Sequence, residues 1–213
     1  MTRLLRLPLW LMIFALGSLL PPAAVAESRA TILHVHSEVR DDRLFADVDF
    51  SLSLSEAHRE ALRNGVILSI SLRTDLLQPR QLLWPRTLAG AERLFRIEYH
   101  ALSETYLVHD ESERETWAFA NLRNALETIG RVRAWPVAEV AMLPPREPLE
   151  GRTRVFLQVN RLPLPIRLKA LTHEDWQLES PWFLWIPRLG SADSPPEQSR
   201  ESAPGRTRGD GAP

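Results

Sequence analysis

Between Leu44 and Leu54 apolar side chains recur at every second position: Leu44, Ala46, Val48, Phe50, Leu52 and Leu54. Asp47, Asp49, Ser51 and Ser53 stand between them. A period of two, held that long, suits an extended chain whose successive side chains point to opposite faces, one dry and one wet. A strand of this kind belongs to an antiparallel sheet with one face buried against a second layer.

The rest of the chain repeats the theme. Ala30 to Arg40 reads as a strand with Ile32, His34, His36 and Glu38 on one face, and Asp41-Asp42 turns it into the alternating segment. Val66 to Thr74 alternates in the same way. Leu94 to Ala101 and Thr105 to His109 are two strands joined by Leu102-Ser103-Glu104, and Thr116 to Phe119 returns from the polar turn Asp110 to Glu115. Thr153 to Val159 is a further strand, and Pro181 to Pro187 a last apolar extended segment. Leu162 to Leu168 is expected to be extended, because Pro163 and Pro165 are incompatible with a helix interior. Two short helices interrupt the strands. Ser55 caps Glu56 to Asn64, which Gly65 stops. Asn121 caps a segment whose Leu122, Ala125, Leu126 and Ile129 form one stripe, ended by Gly130. The expectation is a mainly β (β-rich α+β) fold, an antiparallel sheet or sandwich of about eight strands with two short helices.

The ends differ from this body. Arg3 and Arg6 precede an apolar run from Leu7 to Leu20, Pro21-Pro22 ends it, and Ala24-Val25-Ala26 follows. A positive start, a short apolar core and a small-x-small site describe a cleavable signal peptide over residues 1–26. The competing explanation is an uncleaved N-terminal membrane anchor; the run is shorter than the roughly 20 residues that cross a bilayer, so no stable span is expected after cleavage. The chain has no cysteine, hence no lipid-modified cysteine and no disulfide. The expected location is outside the inner membrane, in the periplasm or cell envelope. Residues 188–213 are rich in Gly, Pro and Ser, with Leu189 the only large apolar side chain, a composition expected to stay disordered. Residues 27–187 remain as one domain. A net charge of −1 gives no reason to expect nucleic acid as a partner.

Several phrases are shared with a known family. Val48-Asp49-Phe50-x-Leu52-Ser53 runs into a short helix ending at Asn64-Gly65-Val66. Tyr99-His100-Ala101-Leu102-Ser103 leads to Tyr106-x-Val108, and Phe119-x-x-Leu122-x-x-Ala125-Leu126 to Gly130. Leu162-Pro163-Leu164-Pro165-x-Arg167, Trp176, Ser180-x-Trp182 and Trp185 follow. This order resembles the DUF4390 family, proteobacterial exported proteins also labelled proline-rich signal peptide proteins. The resemblance implies an exported or envelope-facing single domain. It also implies a signalling partner in the inner membrane, such as a sensor histidine kinase, because the family's genes are described beside one. It supplies no catalytic residues.

The residues themselves offer few chemical constellations. His34-x-His36 places two imidazoles on one strand face, where a third ligand from His58, His100, His109 or Glu38 would complete a metal site. The competing explanation is a half-exposed strand with two polar rings. Asp47 and Asp49 share a wet face, which explains them without catalysis. Asp110 to Glu113 lacks the regular oxygen spacing of a calcium loop. There is no Gly-x-Ser-x-Gly elbow, no cysteine nucleophile and no Gly-rich phosphate loop. No cofactor is implied. In the aromatic stretch Trp176 to Trp185, Trp182 and Trp185 are the candidates for docking a partner, with core packing as the alternative. The reading that follows is a non-catalytic periplasmic binding or accessory module. The alternative is a metal-binding or hydrolytic periplasmic enzyme built on His34 and His36.

Overall fold

The computed structural model describes residues 29–80, 82–144 and 147–189. The signal segment 1–26 and all but the first two residues of the expected tail lie outside the described residues.

Two antiparallel sheets share one core. The smaller has three strands, β1 (Arg29–Arg40), β2 (Arg43–Ser53) and β7 (Arg131–Glu139), in the order β1-β2-β7. The larger contains β3 (Leu68–Gln78), β4 (Arg86–His100), β5 (Thr105–Asp110), β6 (Glu115–Phe119), β8 (Glu150–Leu157) and β9 (Phe183–Trp185). Its order is β6-β5-β4-β3-β8-β9, and all pairings in both sheets are antiparallel. β1 runs beside β8 and β7 beside β4, which closes the two layers over each other. Three helices join them: α1 (Glu56–Arg63), α2 (Leu122–Ile129) and α3 (Leu164–Thr172). Among the described residues no helix is long and apolar enough to cross a membrane.

The alternation in β2 does what its period demands. Leu44, Ala46, Val48 and Phe50 are buried and meet Ile70, Leu72, Phe95, Ile97 and Val155 of the larger sheet in one cluster. Burying side chains of this size stabilises the fold by roughly 1.5–3 kcal/mol each. Asp41 and Asp42 both adopt positive φ (48° and 58°) between the paired Arg40 and Arg43. That is the two-residue turn whose twist matches a hairpin.

Three expectations are corrected. In β1, Ile32 does not share a face with His34 and His36: the register shifts between Ile32 and His34, so Ile32 is buried opposite Phe50 while both histidines point outward. A bulge of one residue reverses every side chain beyond it. Residues 131–139, not foreseen as a strand, form β7. It tolerates Pro136 because it lies at the edge of its sheet, and its register slips where Arg133 and Ala134 stand against Asp47. Ala134 takes a positive φ of 47° there, and its N–H donates to Asp47 Oδ1 at 2.8 Å. Finally, much of the segment expected to be extended after Leu162 is α3. Pro163 is its N-cap and Pro165 falls in its first turn, where a missing N–H costs nothing.

Candidate functional site

A cleft of about 1160 Å³ opens between the smaller sheet and the helices α1 and α2. Its position follows from two chain-level constraints. β2 passes directly into α1, whose N-cap Ser55 accepts from His58 N–H at 3.3 Å, while Ser55 Oγ lies 2.8 Å from His58 Nδ1. On the other side α2 ends hard against β2: Phe50 N–H donates to Gly130 O at 2.8 Å. A Cβ at Gly130 would stand 2.5 Å from Phe50 O, so only glycine permits this approach. The two helices are thereby held on either side of the end of β2.

The lining combines cations with an apolar floor. Arg59 and Arg63 come from α1, Arg123 from α2 and Arg131 from the start of β7. Leu33, Leu52, Leu122 and Leu126 supply apolar surface, and Tyr106 of β5 and His34 of β1 complete the walls. Asp49 and Glu127 are the carboxylates in the lining. The charges are unevenly matched. Arg63 reaches Glu56 at 2.5 Å and Arg59 the same carboxylate at 3.6 Å. The hydrogen bond from Arg63 holds the Glu56 carboxyl below the usual carboxylate range, and Glu56 raises Arg63 in turn. Asp49 is taken by Arg133 at 2.6 Å. Among the described residues Arg123 and Arg131 enter no ion pair and no side-chain hydrogen bond.

Residues 27–186 match the protein family described as Domain of unknown function (DUF4390). This chain belongs to the DUF4390 family. No curated protein and no solved structure matches it.

The DUF4390 domain disperses the residues that sequence reading singled out. His34 and His36 do share the outer face of the smaller sheet, opposite Asp49 and Asp47 in register. Both acids are engaged elsewhere, Asp49 by Arg133 and Asp47 by the Ala134 N–H. His100 contacts Ser103 at 2.9 Å, and His109 reaches Glu98 at 3.1 Å on the larger sheet. Glu38 is bonded to Arg40. His58 is fully buried, edge-on to Trp176 with ring centroids 5.0 Å apart. Among the described residues no three His, Cys, Asp or Glu side chains come together as a metal would require.

Trp185 is a buried core residue of the DUF4390 domain. Its indole lies on Gly151, where a Cβ would fall 2.2 Å from the ring, and its Nε1–H donates to Thr153 Oγ1 at 2.9 Å. Trp182 is half-buried on the outer face of the larger sheet. The guanidinium groups of Arg152 and Arg154 each sit 4.4 Å from its ring. Arg152 also donates to Asp75 Oδ2 at 2.8 Å, so Trp182 closes a network rather than presenting a free edge. The cleft residues Arg59, Arg63, Arg123 and Arg131 were not foreseen. They lie on three elements separated by up to 72 positions, and each reads locally as a solvated arginine.

Proposed function

We propose that this DUF4390 chain is an exported, non-catalytic binding and accessory module of the cell envelope that serves an inner-membrane partner of the sensor-kinase kind. The observation that carries the reading is the cleft itself: a half-open volume with an apolar floor and arginine walls, the make-up of a site that holds a ligand. Its lining offers guanidinium groups, leucines, a tyrosine, the hydroxyls of Ser51 and Ser53, the carboxylates of Asp49 and Glu127, and His34 as the one imidazole among the described residues. Export is supported by the charge and size pattern of residues 1–26. A partner is supported by α3, on which Leu164, Leu168 and Leu171 fall at i, i+4 and i+7 and are 59–68 % exposed. A stripe of that spacing on a helix is the usual form of an apolar contact face.

The test has two arms in the native host. Cell fractionation with mass determination of the purified chain should place the protein in the periplasm with its N-terminus at Glu27. Crosslinking in intact cells should recover one inner-membrane protein with the wild type and lose it with Leu164→Ser/Leu168→Ser/Leu171→Ser, whose side chains are exposed and whose fold should survive. A cytoplasmic chain, or equal recovery by the variant, would count against the proposal.

A further inference from the structure

We infer that the cleft between α1, α2 and the smaller sheet binds a single-chain amphiphile with an acidic head group. The inference rests on the reading of the chain as a binding module and names the chemistry its site selects. Two features of the cleft point the same way. Arg123 and Arg131 face it without an acidic partner among the described residues, whereas Arg59 and Arg63 share Glu56 and Arg133 satisfies Asp49. Glu127 is the one lining carboxylate with no such partner, so the cationic excess persists. Guanidinium groups recognise carboxylate and phosphate oxygens through paired N–H donors.

The second feature is the apolar surface beside these cations. Leu33 is 59 % exposed in the middle of a strand, and Leu52, Leu122 and Leu126 are only half-covered. They line one continuous cleft with the arginines, so a molecule that satisfies the charges must also lie on leucines. A small hydrophilic anion would leave the leucines wet, and a neutral lipid would leave Arg123 and Arg131 unpaired. An acyl chain ended by an acidic group meets both demands. The volume of about 1160 Å³ accommodates a chain of a dozen carbons with its head group.

The test is calorimetric titration of the chain, purified from the producing cells, with octanoate, dodecanoate, dodecyl phosphate, dodecyl maltoside and inorganic phosphate. Dodecanoate should bind at least tenfold more tightly than octanoate, since each methylene fully removed from water is worth about fourfold. Arg123→Gln/Arg131→Gln should weaken dodecanoate at least tenfold, as should Leu33→Glu, whose exposed position spares the fold. Relative affinity for dodecyl phosphate and dodecanoate then assigns the head group. Equal affinity for dodecyl maltoside, binding of inorganic phosphate as tight as dodecanoate, or unaltered binding by both variants with native circular dichroism would overturn the inference. None of these outcomes bears on localisation or partner recovery, so export and the docking of a partner on α3 stand or fall separately.

Discussion

His58 is the residue whose environment departs furthest from its ordinary chemistry. Burial beneath Trp176 pushes its pKa down from 6.5 to about 4, against a smaller opposing pull from the Trp176 backbone and Asp175. Its Nε2 is sealed from solvent and meets no partner at hydrogen-bond distance among the described residues, which favours the neutral ring. The neutral form is therefore the one the fold accepts, while the unfolded chain protonates near pH 6.5. Stability conferred by the neutral ring is fully present above pH 6.5 and is lost as the pH falls towards 4, on the order of 3 kcal/mol across the window. Urea unfolding at several pH values should show that slope. His58→Gln should flatten the profile between pH 6.5 and 5, where few carboxylates titrate; parallel profiles would show that His58 is not the group responsible. Gly151 makes the complementary point: its importance lies in what stands above it, the Trp185 indole, and not in its own backbone, which is ordinary strand.

At the scale of elements, the β5–β6 hairpin is held by a buried ion pair. Asp110 is almost inaccessible and accepts from Arg93 Nη2 at 2.6 Å and Nε at 2.8 Å. The same carboxylate accepts from the N–H groups of Ser112 and Glu113, closing the turn. In the sequence this segment is an acidic hairpin tip; in the fold its first acid faces the core side with Arg93. Asp110→Ala would leave the buried guanidinium with only the half-exposed Glu113, 3.3 Å away, and should cost about 3–5 kcal/mol in urea unfolding. Arg93→Met/Asp110→Ala should recover part of that loss, because no unpaired charge is then buried. A cost below 1 kcal/mol for the single variant would mean that water and the existing pair with Glu113 suffice to hold Arg93. The same scale explains why β7 escaped notice: an edge strand with a proline, a register slip and a left-handed alanine has no clean period to detect.

The whole molecule has one core spanning both sheets, and this should make its unfolding a single event. Val48→Ala in the smaller sheet and Leu72→Ala in the larger should each destabilise, by about 1–3 and 2–5 kcal/mol respectively. Each variant should unfold in one transition that coincides by far-ultraviolet circular dichroism and tryptophan fluorescence. A biphasic curve for Val48→Ala alone would mean that the three-stranded sheet melts independently. The whole-molecule scale is also where the cleft exists. Its cations and leucines come from β1, β2, α1, α2 and β7, with Tyr106 from β5, and no one segment contains it.

What the sequence determined by itself was everything carried by local period and local caps. The alternation of β2, the Asp41-Asp42 hairpin, the Ser55 and Asn121 caps and the stripe of α2 are each dictated by neighbours within a few positions. The spread of shared phrases likewise made the DUF4390 family legible, and the family match covers residues 27–186. Tertiary structure alone decided which way the histidines of β1 face, because one bulge reverses a strand and leaves no trace in composition. It also decided that Pro163 and Pro165 open a helix, since proline is compatible with both an extended chain and a first helical turn. The fate of Trp182 and Trp185 depended on what lies across the sheet: two arginines for one and a glycine for the other. The cleft too belongs to the tertiary structure, because only folding brings Arg123 and Arg131, which have no acidic partner among the described residues, to one volume with the leucines beside them.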